Sequence, residues 1–174
     1  MYAPAWFKSI SNHIWGIVMY TYFLHGLDSS CKGTKGQWFS EHFPDMQLYD
    51  FDGTLTQRME RLESICKEQQ GLTLVGSSFG GLMATCFGIA NPARCRSLIL
   101  LAPALNFAEF STPAEPITVP TRLIIGRHDD VCPPEIVLPK AEQTFACLTT
   151  SVVDDDHMLH KVFYSLPWEE WLKE

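Results

Sequence analysis

The feature that most restricts the fold of this chain is a regular alternation of short apolar segments with longer amphipathic ones. The short segments predict six strands, at residues 17–24, 46–50, 72–75, 97–102, 121–126 and 148–153. The longer segments predict five helices, at residues 34–42, 56–70, 79–91, 134–144 and 158–173. This order is typical of a doubly wound α/β domain, in which helices cover both faces of a mostly parallel six-stranded sheet. With 174 residues, the chain is predicted to form one domain, residues 1–174.

The helix predicted at residues 56–70 is amphipathic. Leu62 and Cys66 fall on one face, whereas Arg58 and Glu60 fall mostly on the other. The pattern thus places Arg58 mostly on the polar face of the predicted helix.

Composition and charge limit the classes of function. The formal net charge is −7 and no basic cluster is present, which argues against a nucleic-acid surface. The longest apolar run, residues 14–24, is shorter than the roughly 18 to 20 residues of a membrane span, and residues 1–13 lack the features of a signal peptide. We therefore expect a cytoplasmic protein without a membrane partner, whose six scattered cysteines are free thiols. The sequence gives no indication of oligomeric state.

The strongest motif follows the third predicted strand. There the sequence GSSFG places Ser78 between Gly76 and Gly80, in the Gly-x-Ser-x-Gly order of a nucleophile elbow between a strand and a helix. Ligands of doubly wound folds bind at the carboxyl ends of the strands. We expect the tight turn to hold Ser78 in a strained conformation, with the N–H of Phe79 pointing toward a developing oxyanion.

Candidate partners for Ser78 follow two later strands. A serine hydroxyl needs a base, and that base needs an orienting acid. Asp129 and Asp130 follow the fifth predicted strand, and His157 follows the sixth. The chain order Ser, Asp, His is the order of the α/β-hydrolase triad.

Four stretches together resemble the α/β-hydrolase superfamily: FLHGLDSS, GSSFGG, GRHDDVCPP and DDDHML. The resemblance extends over residues 17–173. It implies that Ser78 is the nucleophile, His157 the base and Asp129 the acid, with Asp130 as the alternative acid.

The same resemblance implies the rest of a hydrolase site. The backbone N–H of Leu27 would join that of Phe79 in an oxyanion hole, and His25 would have a structural role in that loop. No metal or organic cofactor is implied, and the substrate would be a small carboxylic ester or thioester. Residues 1–13 are unlike the first two antiparallel strands of larger members, and the usual lid position, residues 103–120, is short. The chain is therefore similar to small, nearly lidless bacterial esterases.

A second motif, LYDFDGTL at residues 48–55, indicates a different chemistry. Asp50, Asp52 and Thr54 have the spacing of the magnesium-dependent phosphatases of the haloacid dehalogenase type. Such a phosphatase also needs an acidic pair after a later strand to hold magnesium, which Asp129 and Asp130 could supply. That family places its nucleophile after the first core strand, whereas here an apolar strand and the HGLDSS loop precede Asp50. The hydrolase interpretation makes residues 50–55 a loop. A third interpretation is a non-catalytic protein of the same fold that serves as a binding module.

The acidic run at residues 154–156 also allows two interpretations. Together with His157 and His160 it has residue types that bind metals. A solvated turn that adds negative charge to a helix start is the simpler interpretation.

Overall fold

The computed structural model describes residues 13–14 and 17–173. The described residues form eight strands: β1 His13–Ile14, β2 Ile17–Val18, β3 Tyr20–Leu24, β4 Gln47–Leu48, β5 Leu72–Ser77, β6 Cys95–Leu101, β7 Thr121–Gly126 and β8 Leu148–Val153. They also form five α-helices: α1 Thr34–His42, α2 Leu55–Ile65, α3 Phe79–Ala90, α4 Pro134–Thr144 and α5 Trp168–Trp171. Two short 3₁₀ turns lie at Pro92–Arg94 and Phe163–Ser165.

Six of the strands form one parallel sheet in the order β4-β3-β5-β6-β7-β8. The pair β1 and β2 is antiparallel and separate from that sheet. The predicted strand at residues 17–24 is therefore divided, because only Tyr20–Leu24 joins the main sheet. The prediction about residues 1–13 lies outside the described residues, apart from His13.

The sheet has a hydrophobic core on each face, because successive strand residues point to opposite sides. Leu74 of β5 packs into the core that contains Leu62 of α2, whereas its neighbour Val75 packs into the core that contains Phe39 of α1 and Trp168 of α5. Helices on both faces of a six-stranded sheet confirm the predicted fold class. Within the described part of the chain, no helix has the length and apolar character needed to cross a membrane.

Four predicted elements have the observed bounds, namely α1, α4, β7 and β8. The predicted helix at residues 158–173 is wrong. In its place are the turn Phe163–Ser165 and the four-residue helix α5, separated by Pro167. Leu166, just before that proline, is extended at φ −65° and ψ 146°, as the proline ring requires. Among the described residues, no helix forms between β6 and β7, so the site has no helical lid from that segment.

The placement of Arg58 on the polar face is also wrong, since only 3% of its surface is accessible. Arg58 precedes Leu62 by one helical turn and Leu62 precedes Cys66 by another, so the three residues form one stripe. Leu62 and Cys66 are fully buried. The spacing therefore contained the correct signal, and the charge of arginine obscured it.

Candidate active site

Ser78 occupies the turn between β5 and α3. Its backbone lies at φ +55° and ψ −116°, which residues with a side chain rarely adopt. The turn is possible because glycines flank it: a Cβ on Gly80 would overlap the carbonyl oxygen of Leu24, and one on Gly76 would overlap that of Gly80. The Ser78 N–H donates to the Leu101 carbonyl at 2.9 Å, which ties the turn to β6. The strained conformation therefore rests on close backbone packing on several sides.

Ser78, His157 and Asp129 lie in one line of contacts. His157 Nε2 is 3.0 Å from Ser78 Oγ. His157 Nδ1 lies 2.9 Å from Asp129 Oδ2 and 3.0 Å from Oδ1. In the neutral ring, an Nδ1–H that donates to the carboxylate leaves Nε2 to accept the Ser78 O–H. The arrangement brings together all three residues that the sequence indicated.

Asp129, and not Asp130, is the carboxylate in contact with His157. Asp129 is 4% exposed, and its Oδ1 accepts the N–H of Val131 at 3.0 Å and that of Cys132 at 2.7 Å. Asp130 is exposed. The Asp129 carboxylate is thus held in place by the backbone that follows β7.

The loop that carries His157 is organised by Asp155. Only 2% of Asp155 is accessible, and its Oδ2 accepts the N–H groups of Lys161 at 2.9 Å and Val162 at 3.0 Å. The expectation of a solvated turn at residues 154–156 is therefore wrong at its central residue. The three consecutive acidic residues give no sequence signal that distinguishes the buried one.

Lys35 of α1 supports the same loop from the other side. Its Nζ donates to the Met158 carbonyl at 2.7 Å. Burial lowers the pKa of Lys35, while nearby Asp156 and Asp155 act in the opposite direction. The side chains of Asp155 and Lys35 thus hold the backbone after His157 in place, although neither contacts Ser78.

A cavity of about 740 Å³ opens at Ser78 and His157. Most of its lining is apolar and comes from the loops after β3, β5, β6, β7 and β8. The lining includes Leu27, Phe79, Ala104, Phe107, Val131, Cys132 and Met158.

Leu27 and Phe79 both line this cavity beside Ser78. A Cβ on Gly26 would lie 3.9 Å from Ser78 Oγ, so the backbone before Leu27 passes close to the hydroxyl. Within the described part of the chain, the N–H groups of Leu27 and Phe79 have no protein hydrogen-bond acceptor. Two unpaired N–H donors beside a nucleophile are suited to bind an oxyanion.

His25 has the structural position that the sequence indicated. It is 1% exposed, and its Nε2 accepts the N–H of Phe51 at 2.9 Å. That contact leaves Nδ1 as the protonated nitrogen, which donates to the Gly26 carbonyl at 2.7 Å. The ring therefore joins the loop after β3 to the loop after β4.

Asp50 and Thr54 of the second motif bind backbone groups of the fold. The Asp50 carboxylate accepts the N–H of Cys31 at 2.7 Å, which lowers the pKa of Asp50. Thr54 is the N-cap of α2 and forms a capping box with Gln57. In the sheet, β4 and β7 are separated by three strands, which corresponds to about 19 Å at ordinary strand spacing. The structure therefore does not bring Asp50 and Asp129 together as a magnesium-dependent phosphatase would require.

The described residues contain one group of three metal-ligating side chains, Asp129, Cys132 and His157, whose ligand atoms lie within 4.8 Å of one another. Burial raises the pKa of Cys132 to about 12, and Asp129 adds to the effect. A protonated thiol is a poor metal ligand. His160, which the sequence suggested as a ligand, instead lies 3.5 Å from Asp156 on the surface. The group therefore fits a hydrogen-bonded triad better than a metal site.

The parallel sheet and the elbow at Ser78 define the α/β-hydrolase fold, and solved structures of that class share it. The esterase EaEST from Exiguobacterium antarcticum aligns with a TM-score of 0.71 and 14% identity, over 91% of this chain and 93% of that chain. The monoacylglycerol lipase from Paleococcus ferrophilus aligns with a TM-score of 0.70 and 16% identity, over 88% and 93% of the two chains. Alpha/beta hydrolase domain-containing protein 10 from mouse aligns with a TM-score of 0.66 and 19% identity, over 81% and 82%. At these identities the likeness establishes the fold alone.

The sequence also identifies a narrower group. Residues 18–115, more than half of the chain, match the uncharacterised protein family UPF0227, and the chain belongs to that family. No curated protein matches the sequence. The matched segment contains the elbow at Ser78 and the loop at Leu27, and it ends before Asp129 and His157.

Proposed function

We propose that this protein is a serine esterase that cleaves a small carboxylic ester or thioester through an acyl-enzyme on Ser78. The observation that carries the proposal is the line of contacts from Asp129 through His157 to Ser78 Oγ, with distances of 2.9 and 3.0 Å. Proteins named as an esterase and a lipase have the same fold. That likeness supports the proposal without identifying the substrate.

The mechanism follows from the positions of the three side chains. Ser78 Oγ attacks the carbonyl carbon while His157 Nε2 takes the hydroxyl proton. Asp129 keeps the imidazole in the required tautomer and stabilises the imidazolium. The Leu27 and Phe79 amides would hold the oxyanion of the tetrahedral intermediate.

The intermediate then breaks down in two steps. His157 gives its proton to the leaving alcohol or thiol, and the acyl group stays on Ser78 as an ester. Water, deprotonated by His157, attacks this ester and releases the acid, which restores the Ser78 hydroxyl. The proposed residues need no metal or organic cofactor for these steps.

The cavity supports a small, largely apolar substrate, because a volume of about 740 Å³ is in the ordinary range for small-molecule sites. A nucleic-acid partner is not part of the proposal, given the net charge of −7. All six cysteines are unpaired, which supports our expectation of a reducing, cytoplasmic environment. We also propose that the chain functions as a single domain.

The test is covalent labelling of the purified protein with a fluorophosphonate probe in the presence of EDTA. Peptide mass spectrometry locates the adduct, while p-nitrophenyl acetate turnover is followed in parallel. We expect labelling at Ser78 and turnover that EDTA does not reduce. Absence of both would contradict the proposal, and magnesium-dependent phosphatase assays would then separate the phosphatase interpretation from a non-catalytic one.

A further inference from the structure

Arg58 is a buried cation in contact with the loop that carries Leu27. Its Nη2 donates to the Leu27 carbonyl at 3.1 Å, its Nε donates to the Gly53 carbonyl at 3.2 Å, and its Nη1 reaches the Gly26 carbonyl at 3.5 Å. The guanidinium carbon also lies 5.1 Å from the centre of the Phe79 ring. The guanidinium therefore contacts both residues whose amides form the proposed oxyanion hole.

The charge of Arg58 is not neutralised by a contacting acid. Among the described residues, no carboxylate forms an ion pair with it. Burial lowers the pKa of Arg58, and Asp52 and Asp28 oppose that effect only through longer-range attraction. Burying a cation against neutral carbonyl groups costs free energy that an apolar side chain would avoid. The burial of this charge is therefore consistent with a functional role of Arg58.

Two contacts of Arg58 lie on the peptide groups on either side of Leu27, and the one to the Gly26 carbonyl lies on the peptide that carries the Leu27 N–H. The Gly26 carbonyl and the Leu27 N–H belong to one planar unit, so fixing the oxygen also fixes the direction of the N–H. The oxygen accepts from His25 Nδ1 at 2.7 Å and lies within reach of Arg58. Donors at the carbonyl end polarise the peptide and strengthen its N–H as a donor.

We propose that Arg58 is a positioning residue for the oxyanion hole, which holds and polarises the Gly26–Leu27 peptide and fixes Phe79 through its ring. The inference rests on the proposed function, because the hole has a role only if Ser78 forms a tetrahedral intermediate. Arg58 itself is not among the residues that line the cavity at Ser78. Its positive charge favours the state in which negative charge develops on the substrate oxygen.

The test compares Arg58→Met and Arg58→Lys with Arg61→Met. Arg61 is an exposed arginine of the same helix, and it also donates to a loop carbonyl, that of Asp50. For each variant we measure turnover of p-nitrophenyl acetate and inhibition by an aryl trifluoromethyl ketone. Ser78 Oγ adds to the carbonyl carbon of this ketone, and the ketone oxygen becomes an oxyanion. Thermal unfolding establishes that each variant is folded.

For Arg58→Met we expect a kcat about 10- to 100-fold lower, somewhat less than the loss of a whole oxyanion donor. KM should change little, and the ketone inhibition constant should rise in proportion to the loss of kcat/KM. The pH midpoint of kcat/KM, which reports His157, should stay unchanged. Arg58→Lys should restore part of the activity, and Arg61→Met should behave as the unmodified protein does.

Several outcomes would overturn the inference. A folded Arg58→Met variant with unchanged kcat and ketone inhibition would do so. A lower kcat together with a shifted pH midpoint of kcat/KM would also do so, because this would indicate general damage to the triad. If Arg58→Met does not fold, the same measurements are made on Arg58→Lys, and an Arg58→Lys variant with unchanged kcat and unchanged ketone inhibition would contradict the inference. If the unmodified protein is not labelled at Ser78, both the proposed function and this inference are contradicted. If Ser78 is labelled and the Arg58→Met variant has unchanged kinetics, only this inference is contradicted.

Discussion

The turn at Ser78 and the loop at residues 50–54 both follow parallel strands, and both carry residue types that catalyse group transfer. They differ in where their polar groups are used. At Ser78, the side chain contacts another side chain, His157, and the neighbouring Phe79 amide lacks an acceptor among the described residues. In the other loop, the Asp50 carboxylate accepts a backbone N–H and Thr54 caps a helix.

The difference shows what distinguishes a site from a motif. Polar groups that satisfy one another within the backbone stabilise the fold and have little left for a substrate. A strained residue with unpaired donors beside a cavity retains interactions that a substrate can use. Spacing alone, which favours both segments, does not report this difference.

The sharpest way to break the comparison is to change one key side chain in each region. Ser78→Ala removes the nucleophile, and we expect ester turnover to fall on the order of 10⁴-fold or more. Asp50→Asn keeps an oxygen that can accept the Cys31 N–H, so ester hydrolysis should remain largely intact. Steady-state p-nitrophenyl acetate kinetics measure both. The reverse pattern would assign the chemistry to the second motif.

The next largest effect separates two adjacent carboxylates. Asp129→Asn should lower kcat about 10⁴-fold, because an amide favours the wrong imidazole tautomer. Asp130→Asn should leave kcat nearly unchanged, since Asp130 is exposed and only Asp129 contacts His157. The two variants carry the same substitution at adjacent positions, so each is the control for the other. Equal losses in both variants would contradict the assignment of Asp129.

Much of this organisation could be predicted from the sequence, because the alternation of apolar segments records burial directly. The bounds of β7 and β8 agree with prediction, and the strand-to-helix context of Ser78 identified the elbow. The choice between Asp129 and Asp130 could not be derived, because it depends on the path of a loop. Spacing does not report that path.

The failures involve charged residues whose partners are backbone groups of loops. Arg58 was placed on the polar face of its helix, yet its partners are the Leu27 and Gly53 carbonyls. Asp155 was expected in a solvated turn, yet it accepts N–H groups six and seven residues later. A buried charge is acceptable when backbone groups satisfy it, and single-sequence patterns do not show those groups.

The glycines of the two regions give a smaller, structural contrast. A Cβ on Gly80 would overlap the Leu24 carbonyl, so Gly80→Ala should lower the free energy of unfolding by about 3 kcal/mol or prevent folding. Gly53 has a φ of +84°, and the three atoms nearest to a Cβ there all belong to the Gln57 side chain, whose end can move aside. Gly53→Ala should therefore cost about 1 to 2 kcal/mol. Urea denaturation measures both, and a larger cost at Gly53 would contradict the tight packing described for the elbow.

The smallest effect tests whether Thr54 is a helix cap or part of a phosphatase site. Its Oγ1 accepts the Gln57 N–H at 3.3 Å, and the Gln57 side chain accepts the Thr54 N–H at 2.9 Å. Thr54→Ala should therefore lower the free energy of unfolding by about 1 kcal/mol. Thr56→Ala, at an exposed position in the first turn of the same helix, should be neutral or slightly stabilising, because alanine favours helix.

Ester turnover of the Thr54 variant gives the second readout. Because α2 also carries Arg58, loosening its first turn should reduce kcat only slightly, and Thr54→Ser, which keeps the hydroxyl, should restore both stability and rate. A large loss of turnover at unchanged stability would mean that Thr54 takes part in the chemistry, and the two regions would then share one site.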